Sequence, residues 1–426
     1  MNEPAHVLPP YAAESVLYPR AFIATLLLTL INVFNYMDRM VFAAVVQPLK
    51  QELGLTDPQI GFLTGFAFIA LYAAIMFPLA RWADRVGRRQ VLGGSVAAWS
   101  VATTCSGLVH DFPQLAVARA CVGVGEAGCM PSTHALIAEL YPPTRRALPV
   151  AIVTAGSAVG TGLGLGLGGL IAGGHGWRYA FLLLGPPGIL LALVVFLTLP
   201  EPARVTLPRA AQRPLGESII GLLRVPTYRS LLYALPFYQF AAAGVIGWLP
   251  TFFTRSHSMP IQKVGPLFGI AYGVGLAVGG IVGAHALQVL TRRAPERMLR
   301  LSAFLMSAAG VTFFAGLLVR DSSIALALFM LFGGLAGAVT SPIVACQQSV
   351  VQERMRAQAA ALSLVVSAYV GLGLGPLLVG WGSQILTPRL GPDALRGALL
   401  VASSAAVLAG LFLWRASRTY TMDLRT

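Results

Sequence analysis

The sequence predicts an all-α membrane protein with twelve transmembrane helices in two six-helix bundles. Three observations predict it: the composition, the long apolar stretches and an internal repeat. The 426 residues are 56% hydrophobic and 11% charged, with a mean hydropathy of +0.73. Soluble globular domains carry about 25% charged residues. The composition therefore excludes an ordinary soluble domain.

Apolar stretches long enough to cross about 30 Å of hydrocarbon recur along the whole chain. We predict twelve spans, at 20–47, 58–81, 90–109, 113–140, 147–174, 178–199, 228–254, 264–290, 298–319, 322–350, 356–386 and 394–414. The stretch between the sixth and seventh spans is richer in proline, arginine and glutamine, which is typical of a linker. The predicted parts are an N-terminal bundle at 1–199, a cytoplasmic linker at 200–227 and a C-terminal bundle at 228–426.

The basic residues fall mainly on one side of this map. If the N-terminus is inside, the inner segments hold about three times as many lysines and arginines as the outer segments, as the positive-inside rule requires. We therefore expect both termini in the cytoplasm and a location in the inner membrane of a bacterium. The formal net charge of +14 does not indicate nucleic-acid binding, because the basic residues lie between spans and no nucleic-acid motif accompanies them.

The two halves repeat each other. Gly61-x₃-Gly65 recurs as Gly265-x₃-Gly269, Arg88-Arg89 as Arg292-Arg293, and Gly162-x-Gly164-x-Gly166 as Gly371-x-Gly373-x-Gly375. Such a six-plus-six repeat is typical of transporters whose halves are related by a pseudo-two-fold axis and hold the substrate between them. The repeat therefore favours a carrier that works by alternating access over a channel or a membrane enzyme.

Two motifs resemble the major facilitator superfamily. Residues 80–89, Ala-Arg-Trp-Ala-Asp-Arg-Val-Gly-Arg-Arg, resemble its loop signature between spans two and three, with Ala80 in place of the usual glycine. Residues 176–181, Gly-Trp-Arg-Tyr-Ala-Phe, are similar to its common opening of span six. The arginine-bearing fourth span also matches. The resemblance covers essentially the whole chain and implies a monomer.

Within that superfamily the chain is most similar to the Spinster-like transporters. The resemblance lies in Asn-Tyr-Met-Asp-Arg at 35–39, Gly-x-Gly-Glu-Ala at 123–127 and a glycine-rich stretch at 156–164. It implies transport of lysophospholipids, sphingolipid-like lipids or similar amphiphiles, coupled to protons. Organic anion:proton symporters of the superfamily share the Tyr-x-Asp-Arg motif, so a drug or organic-anion/proton transporter is the alternative.

Four charged residues are predicted deep in the membrane: Asp38, Arg39, Arg119 and Glu126. An ion in hydrocarbon costs several kcal/mol, so such residues are functional candidates by default. Asp38 and Glu126 are the only two of the 16 acidic residues placed there. Arg119 and Glu126 project from one face of span four. A rise of ~1.5 Å per residue brings all four charges to a similar depth.

These charges suggest a coupling mechanism. Burial disfavours the charged form of a carboxyl group and a nearby arginine favours it, so Asp38 and Glu126 are candidates to load and unload protons. Arginine stays charged and cannot carry the proton. We therefore expect protonation to let Arg39 or Arg119 change partners. Arg119 has a second possible role, as the bidentate anchor of a phosphate or carboxylate. A static charge cluster that locks helix packing is the alternative.

The C-terminal half has no deep charge, so the substrate cavity is predicted to be charged on one side and apolar-aromatic on the other. This asymmetry suits an amphiphile, with its headgroup at the charged side. Packing or interhelical contact is the alternative role of each polar candidate. The predicted lining residues are Asn35, Tyr36, Met130, Tyr238, Gln239, Tyr272, Gln347 and Tyr369.

A second charged cluster is predicted at the inner surface, where acids can meet helix N-termini and arginines can meet helix C-termini or lipid phosphate. The family resemblance implies that it stabilises the outward-facing state. Topology alone is the alternative role. The predicted members are Asp84, Arg85, Arg88, Arg89, Glu139, Arg145 and Arg146.

The sequence indicates neither an enzyme nor a bound cofactor. Its six histidines and four cysteines are scattered and form no catalytic or metal-ligand pattern. The expected partners are a small amphiphilic substrate, protons and membrane lipid, with no metal and no nucleic acid.

Overall fold

A computed structural model describes residues 10–142, 145–200, 215–292, 294, 296–352 and 355–424. Within these ranges the chain forms twelve helical rods, which we number span 1 to span 12 in chain order. Nine helices of the described chain are long and apolar enough to cross a membrane. One of the nine joins spans 11 and 12, and the count omits the polar span 3 and span 4, which is broken into two short pieces.

The N-terminal half contains six rods. They are span 1, Pro10–Leu53; span 2, Asp57–Gly61, Phe62–Phe66 and Ala67–Val86; span 3, Arg88–Ser106; span 4, Phe112–Glu126 and Cys129–Leu140; span 5, Ala147–His175; and span 6, Trp177–Leu184 and Pro186–Thr198.

The C-terminal half repeats this arrangement. Its rods are span 7, Pro226–Ser256; span 8, Ile261–Val278, Gly279–Gly283 and Ala284–Thr291; span 9, Glu296–Leu318; span 10, Ser322–Ser349; span 11, Arg356–Val366, Ser367–Gly373 and Leu374–Leu390; and span 12, Ala394–Asp423. The middle segments of spans 2, 8 and 11 are π-helical turns, a feature that is frequent at functional sites.

Some helices are longer than the apolar stretches that predict them, most clearly at the start of span 1 and the end of span 12. Span 1 begins at Pro10 and span 12 ends at Asp423, because helical hydrogen bonding continues into polar sequence where hydropathy falls. The region predicted as a linker contains a further helix, Leu215–Arg224. That helix buries Leu222. Its alternation of apolar and polar residues is that of an amphipathic surface helix, which a search for continuous apolar stretches does not detect.

Span 4 is interrupted close to its predicted charges. Its outer piece ends at Glu126, and Ala127 and Gly128 form a turn before the helix resumes at Cys129. Span 6 is interrupted at Gly185, where Pro186 and Pro187 follow and have no backbone N–H to donate to the preceding helical turn. The interruption in span 4 leaves Glu126 at a helix end in the middle of the bundle.

Glycines bring the two halves into close contact at one end, which we call the outer end after the predicted orientation. A methyl group added at Gly65 would lie 2.5 Å from the carbonyl oxygen of Gly373, so span 2 lies directly on span 11. A methyl group at Gly269 would lie 2.8 Å from the carbonyl oxygen of Gly162, so span 8 lies directly on span 5. The repeated glycines therefore occupy equivalent crossings between the halves.

Candidate functional site

An ion pair between spans 1 and 4 is the centre of the site. Arg39 donates through Nε to Glu126 Oε2 at 2.6 Å, and its Nη2 lies 2.5 Å from the same oxygen. The Glu126 side chain is 0% exposed, and that of Arg39 is 19% exposed. The Arg39 side chain therefore contacts the fully buried Glu126 carboxylate while part of its own surface stays accessible.

Asp38 is held by a different helix. Thr103 of span 3 donates its hydroxyl to Asp38 Oδ2 at 2.6 Å, and both side chains are buried. Asp38 and Arg39 are adjacent in a helix, so their side chains diverge by about 100°. As a result, one contacts span 3 and the other contacts span 4. Asp38 still interacts electrostatically with Arg119 and Arg39.

Arg119 has few hydrogen-bond partners for a buried guanidinium. It is 3% exposed, and its Nε lies 3.5 Å from the carbonyl oxygen of Leu63, in the π-helical turn of span 2. Its guanidinium carbon lies 4.6 Å from the ring centroid of Phe42 and 5.5 Å from that of Phe68. A guanidinium carries five N–H donors, so Arg119 retains donors for a further acceptor.

Aromatic rings surround the second arginine as well. The guanidinium carbon of Arg39 lies 4.7 Å from the ring centroid of Phe68, 5.4 Å from that of Tyr36 and 5.5 Å from that of Tyr72. Phe68 thus lies within cation–π distance of both arginines, an attraction that strengthens when the charge is desolvated. These rings help to keep two cations in the interior.

Glycines fix span 4 at the depth where its charges meet their partners. A methyl group added at Gly123 would collide with the carbonyl oxygen of Phe68 in span 2, and one added at Gly125 would lie 2.5 Å from the backbone nitrogen of Trp99 in span 3. The Gly-x-Gly-Glu motif therefore combines close helix packing with the acid that follows it.

Each acid uses one oxygen and leaves the other without a partner. Within the described residues, Asp38 Oδ1, Glu126 Oε1 and Asn35 Nδ2 are buried and have no hydrogen-bond partner. Buried polar atoms are normally satisfied, so these atoms mark positions for water, a proton or a substrate group. In the same part of the chain no cluster of three His, Cys, Asp or Glu side chains is placed to hold a metal.

The remaining cavity candidates fall into two groups. Tyr36, Met130, Gln239 and Tyr369 are partly exposed, and Tyr369 donates its hydroxyl to the carbonyl of Ala70 at 2.8 Å, across the two halves.

Tyr238, Tyr272 and Gln347 are buried within the C-terminal half. The Tyr238 hydroxyl lies 3.1 Å from that of Thr340, and the Gln347 amide donates to the hydroxyl of Ser363. Their contacts are interhelical, and their role in substrate binding stays a prediction.

Part of the predicted inner cluster has described contacts. Arg88 donates to Glu139 at 2.6 Å, which joins the start of span 3 to the end of span 4. Arg146 donates to the carbonyl oxygens of Ala138 and Tyr141 at 2.6 and 2.9 Å, and so caps the C-terminus of span 4. Arg85 and Arg145 are exposed, Arg89 is partly exposed, and the side chain of Asp84 lies outside the described residues.

Two residues that make contacts between helices, Thr103 and Asp57, could not be identified from the sequence alone. Thr103 carries no charge and is one of several hydroxyl residues in span 3, so nothing in the sequence distinguishes it. A third buried carboxylate, Asp57, lies at the outer start of span 2 and accepts hydrogen bonds from Arg255 of span 7. Its Thr56-Asp57-Pro58 context indicates only a helix start, and the partner lies in the other half.

Comparisons with known proteins agree with this architecture. Residues 28–376 match the Major Facilitator Superfamily. The chain belongs to that family, whose members are transporters and not enzymes. It is therefore a multi-pass integral membrane protein that transports a small substrate.

Individual relatives indicate the subgroup. The chain is 32% identical to an MFS-type efflux pump of Mycolicibacterium smegmatis, over 95% of this chain and 94% of that one. It is 26% identical to protein spinster homolog 1 of Xenopus laevis, over 85% and 73% of the two chains. A crystal structure of a bacterial homolog to the human lysosomal transporter Spinster, inward-facing and unoccupied, superposes with a TM-score of 0.85 at 27% identity, covering 95% of this chain and 98% of that one. The chain is a Spinster-like secondary transporter.

Proposed function

We propose that this transporter is proton-coupled, works by alternating access and moves a lysophospholipid, a sphingolipid-like molecule or another amphiphile. Asp38 and Glu126 are the proposed proton carriers. Arg39 and Arg119 are the proposed partners that change contacts when an acid is protonated. The monomeric protein would lie in the inner membrane of a bacterium with both termini in the cytoplasm. The parts 1–199 and 228–426 would move relative to each other through the linker at 200–227.

The observation that carries this proposal is the one-sided pairing of the two acids. Asp38 and Glu126 each accept a hydrogen bond on one oxygen, while the second oxygen is buried and has no partner among the described residues. A proton can occupy that second oxygen without breaking the existing hydrogen bond. At Glu126, the arrival of a proton removes the charge that pairs with Arg39, and Arg39 can then move to another acceptor.

The distribution of charge supports an amphiphilic substrate. Asp38, Arg119 and Glu126 are buried in the N-terminal half, whereas the described part of the C-terminal half contains buried phenylalanine and tyrosine rings and no buried charged residue. Arg119, with its unused donors, is the proposed anchor for a phosphate or carboxylate headgroup. An acyl chain would then lie along the apolar half.

The inner cluster has a separate proposed role. We propose that Asp84, Arg85, Arg88, Arg89, Glu139, Arg145 and Arg146 stabilise the outward-facing state from the inner surface. The Arg88–Glu139 pair supports this role because it joins the start of span 3 to the end of span 4 at the inner surface.

The proposal is tested with purified protein in liposomes that contain a pH-sensitive dye. A lysophospholipid, a sphingoid base, a small organic anion and a cationic dye are offered with and without an imposed pH gradient. We expect the lysophospholipid or sphingoid base to be accumulated only with the gradient, and proton movement to accompany it. Equal accumulation of the substrate with and without the pH gradient would contradict proton coupling.

A drug transporter is the second candidate, favoured by the 32% identity to an efflux pump over nearly the whole chain. The same liposomes separate the two functions. Gradient-driven movement of the cationic dye without movement of either lipid would establish the second function and exclude the first.

A further inference from the structure

We infer that Asp57 is the centre of an ionic lock that holds the outer ends of the two halves together, and that its effect is confined to one of two equivalent crossings. The inference is independent of the substrate and of proton coupling. Asp57 is 2% exposed and is the first residue of span 2, where the helix dipole also favours an anion. A capping box formed by Thr56 and Gln59 fixes this helix start.

Both halves supply donors to this one carboxylate. From the C-terminal half, Arg255 of span 7 donates to Oδ2 at 2.8 Å and to Oδ1 at 2.9 Å, and Ser383 of span 11 donates to Oδ2 at 2.6 Å. From the N-terminal half, Lys50 of span 1 donates to Oδ1. Arg255 also donates to Gln47 at 3.0 Å. Four spans therefore meet at a single anion.

The site contains one negative charge and two positive charges, so the loss of the negative charge and the loss of one positive charge have different effects on the contact between the halves. One carboxylate lies between two cations, Lys50 from the N-terminal half and Arg255 from the C-terminal half. If Asp57 loses its charge, two like charges remain on opposite sides of the interface and repel each other across it. If Arg255 loses its charge, Lys50 and Asp57 remain paired within one half, and only the attraction is lost.

Among the described residues, the equivalent crossing has no ionic lock. Asp57 precedes Gly61 by one helical turn, and Ile261 precedes Gly265 in the same way at the start of span 8. There, Gln262 donates to the carbonyl oxygen of Gly173 in span 5 at 2.7 Å, and its side chain is exposed. An exposed neutral hydrogen bond contributes less than a buried bidentate ion pair. The outer end is therefore held mainly where spans 2, 7 and 11 meet.

The test measures the distance between the halves at the outer end. In the full-length protein, with the native cysteines replaced, spin labels are placed at Gln51→Cys and Ser323→Cys, which lie on exposed outer positions of the two halves. Pulsed electron paramagnetic resonance then gives the distribution of distances in liposomes. Asp57→Asn is expected to raise the ratio of molecules that are open at the outer end to molecules that are closed there at least tenfold. Arg255→Gln is expected to raise this ratio less, and Gln262→Ala is expected to raise it least.

Two further variants make the result decisive. In the double variant Asp57→Asn with Lys50→Gln, the ratio of open to closed molecules should be close to that of Arg255→Gln, because the repulsion between Lys50 and Arg255 is removed. Glu52→Gln is the matched control: Glu52 pairs with Arg178 and Trp177 at the same outer surface but entirely within the N-terminal half. Equal opening by Glu52→Gln, or wild-type distances in both Asp57→Asn and Arg255→Gln, would overturn the inference. Should Asp57→Asn fail to fold, Arg255→Gln tests the lock from the other half.

Discussion

At the scale of single residues, the central feature is that two adjacent charged residues of span 1 bind to two different helices. Asp38 and Arg39 are adjacent in span 1, yet Asp38 accepts from Thr103 in span 3 and Arg39 donates to Glu126 in span 4. The buried Asp38 and the partly exposed Arg39 are therefore each held by a separate helix. Movement of either helix changes one contact without breaking the other.

Thr103 should matter to transport although it carries no charge. In Thr103→Val, Asp38 loses its described donor, and a hydrogen bond to a charged group contributes about 1.5–3 kcal/mol. Because about 1.4 kcal/mol corresponds to tenfold in rate, we expect the initial rate of gradient-driven uptake to fall about tenfold or more. Thr103→Ser keeps the donor and should remain near the wild-type rate. Equal losses in both variants would assign Thr103 to packing alone.

Arg39 should not be replaceable by lysine. Arg39→Lys keeps the charge but loses the planar group that contacts Glu126 through two nitrogens and lies near three aromatic rings. We expect uptake to fall at least tenfold while the protein stays folded. The measurement is the initial uptake rate per folded molecule. Wild-type transport by Arg39→Lys would show that only the charge matters.

At the scale of helices, glycine sets how closely neighbours approach. Span 5 shows this on two faces: a methyl group at Gly160 or Gly164 would collide with backbone carbonyls of span 1, and one at Gly169 would lie 3.0 Å from Gly265 of span 8. Span 5 thus contacts its own half and the opposite half through backbone. Such surfaces allow close packing without long side chains in between.

The same reasoning predicts the effect of Gly123→Ala. The added methyl group would collide with the carbonyl oxygen of Phe68, and overpacking of this kind typically costs about 1–3 kcal/mol. We expect a lower thermal unfolding temperature and weaker uptake. Gly94→Ala is the control, because nothing lies within 4 Å of the added methyl group, and alanine favours a helix by up to about 1 kcal/mol. A lower unfolding temperature in Gly94→Ala as well would remove the link to this contact.

At the scale of the whole molecule, the repeat and the charge balance determine different properties. Equivalent glycine crossings join spans 2 and 11 and spans 5 and 8 at one end, which is how two similar halves close around a shared axis. The excess of basic residues on the other side determines orientation, not fold.

The orientation can be measured directly. In a background without native cysteines, Gln51→Cys and Met422→Cys are both exposed positions, at opposite ends of the bundle. We expect a membrane-impermeant maleimide to label Gln51→Cys in intact cells, and Met422→Cys only after the membrane is permeabilised. The reverse pattern would contradict the predicted cytoplasmic termini.

The sequence predicts those features that depend on a single stretch of the chain, and it does not predict contacts between residues that are distant in the chain. The all-helical fold and its two halves follow from apolar length and repeated glycines, and they are confirmed by the match to the Spinster homolog structure. The depth of Asp38, Arg39, Arg119 and Glu126 follows from position in a span. The partners do not, because Thr103 and Asp57 acquire their contacts only when distant helices meet.

Two predictions rest on sequence patterns that have more than one physical cause. Tyr272 and Gln347 are polar residues in apolar spans, which is equally the pattern of a cavity lining and of a buried interhelical contact, and the structure buries both. The predicted linker contains the helix Leu215–Arg224, whose polar face lowers the mean hydropathy of the segment. Hydropathy reports burial in hydrocarbon, not helix formation.

The most direct test of the proposed coupling compares two modes of transport in the same liposomes. Asp38→Asn and Glu126→Gln imitate the protonated acids, so the double variant should still exchange substrate across the membrane when it is present on both sides. The same variant should fail to accumulate substrate when a pH gradient is imposed. Exchange at close to the wild-type rate with accumulation lost is the predicted result. Accumulation that persists in the double variant, or exchange that is lost together with accumulation in a correctly folded protein, would contradict it.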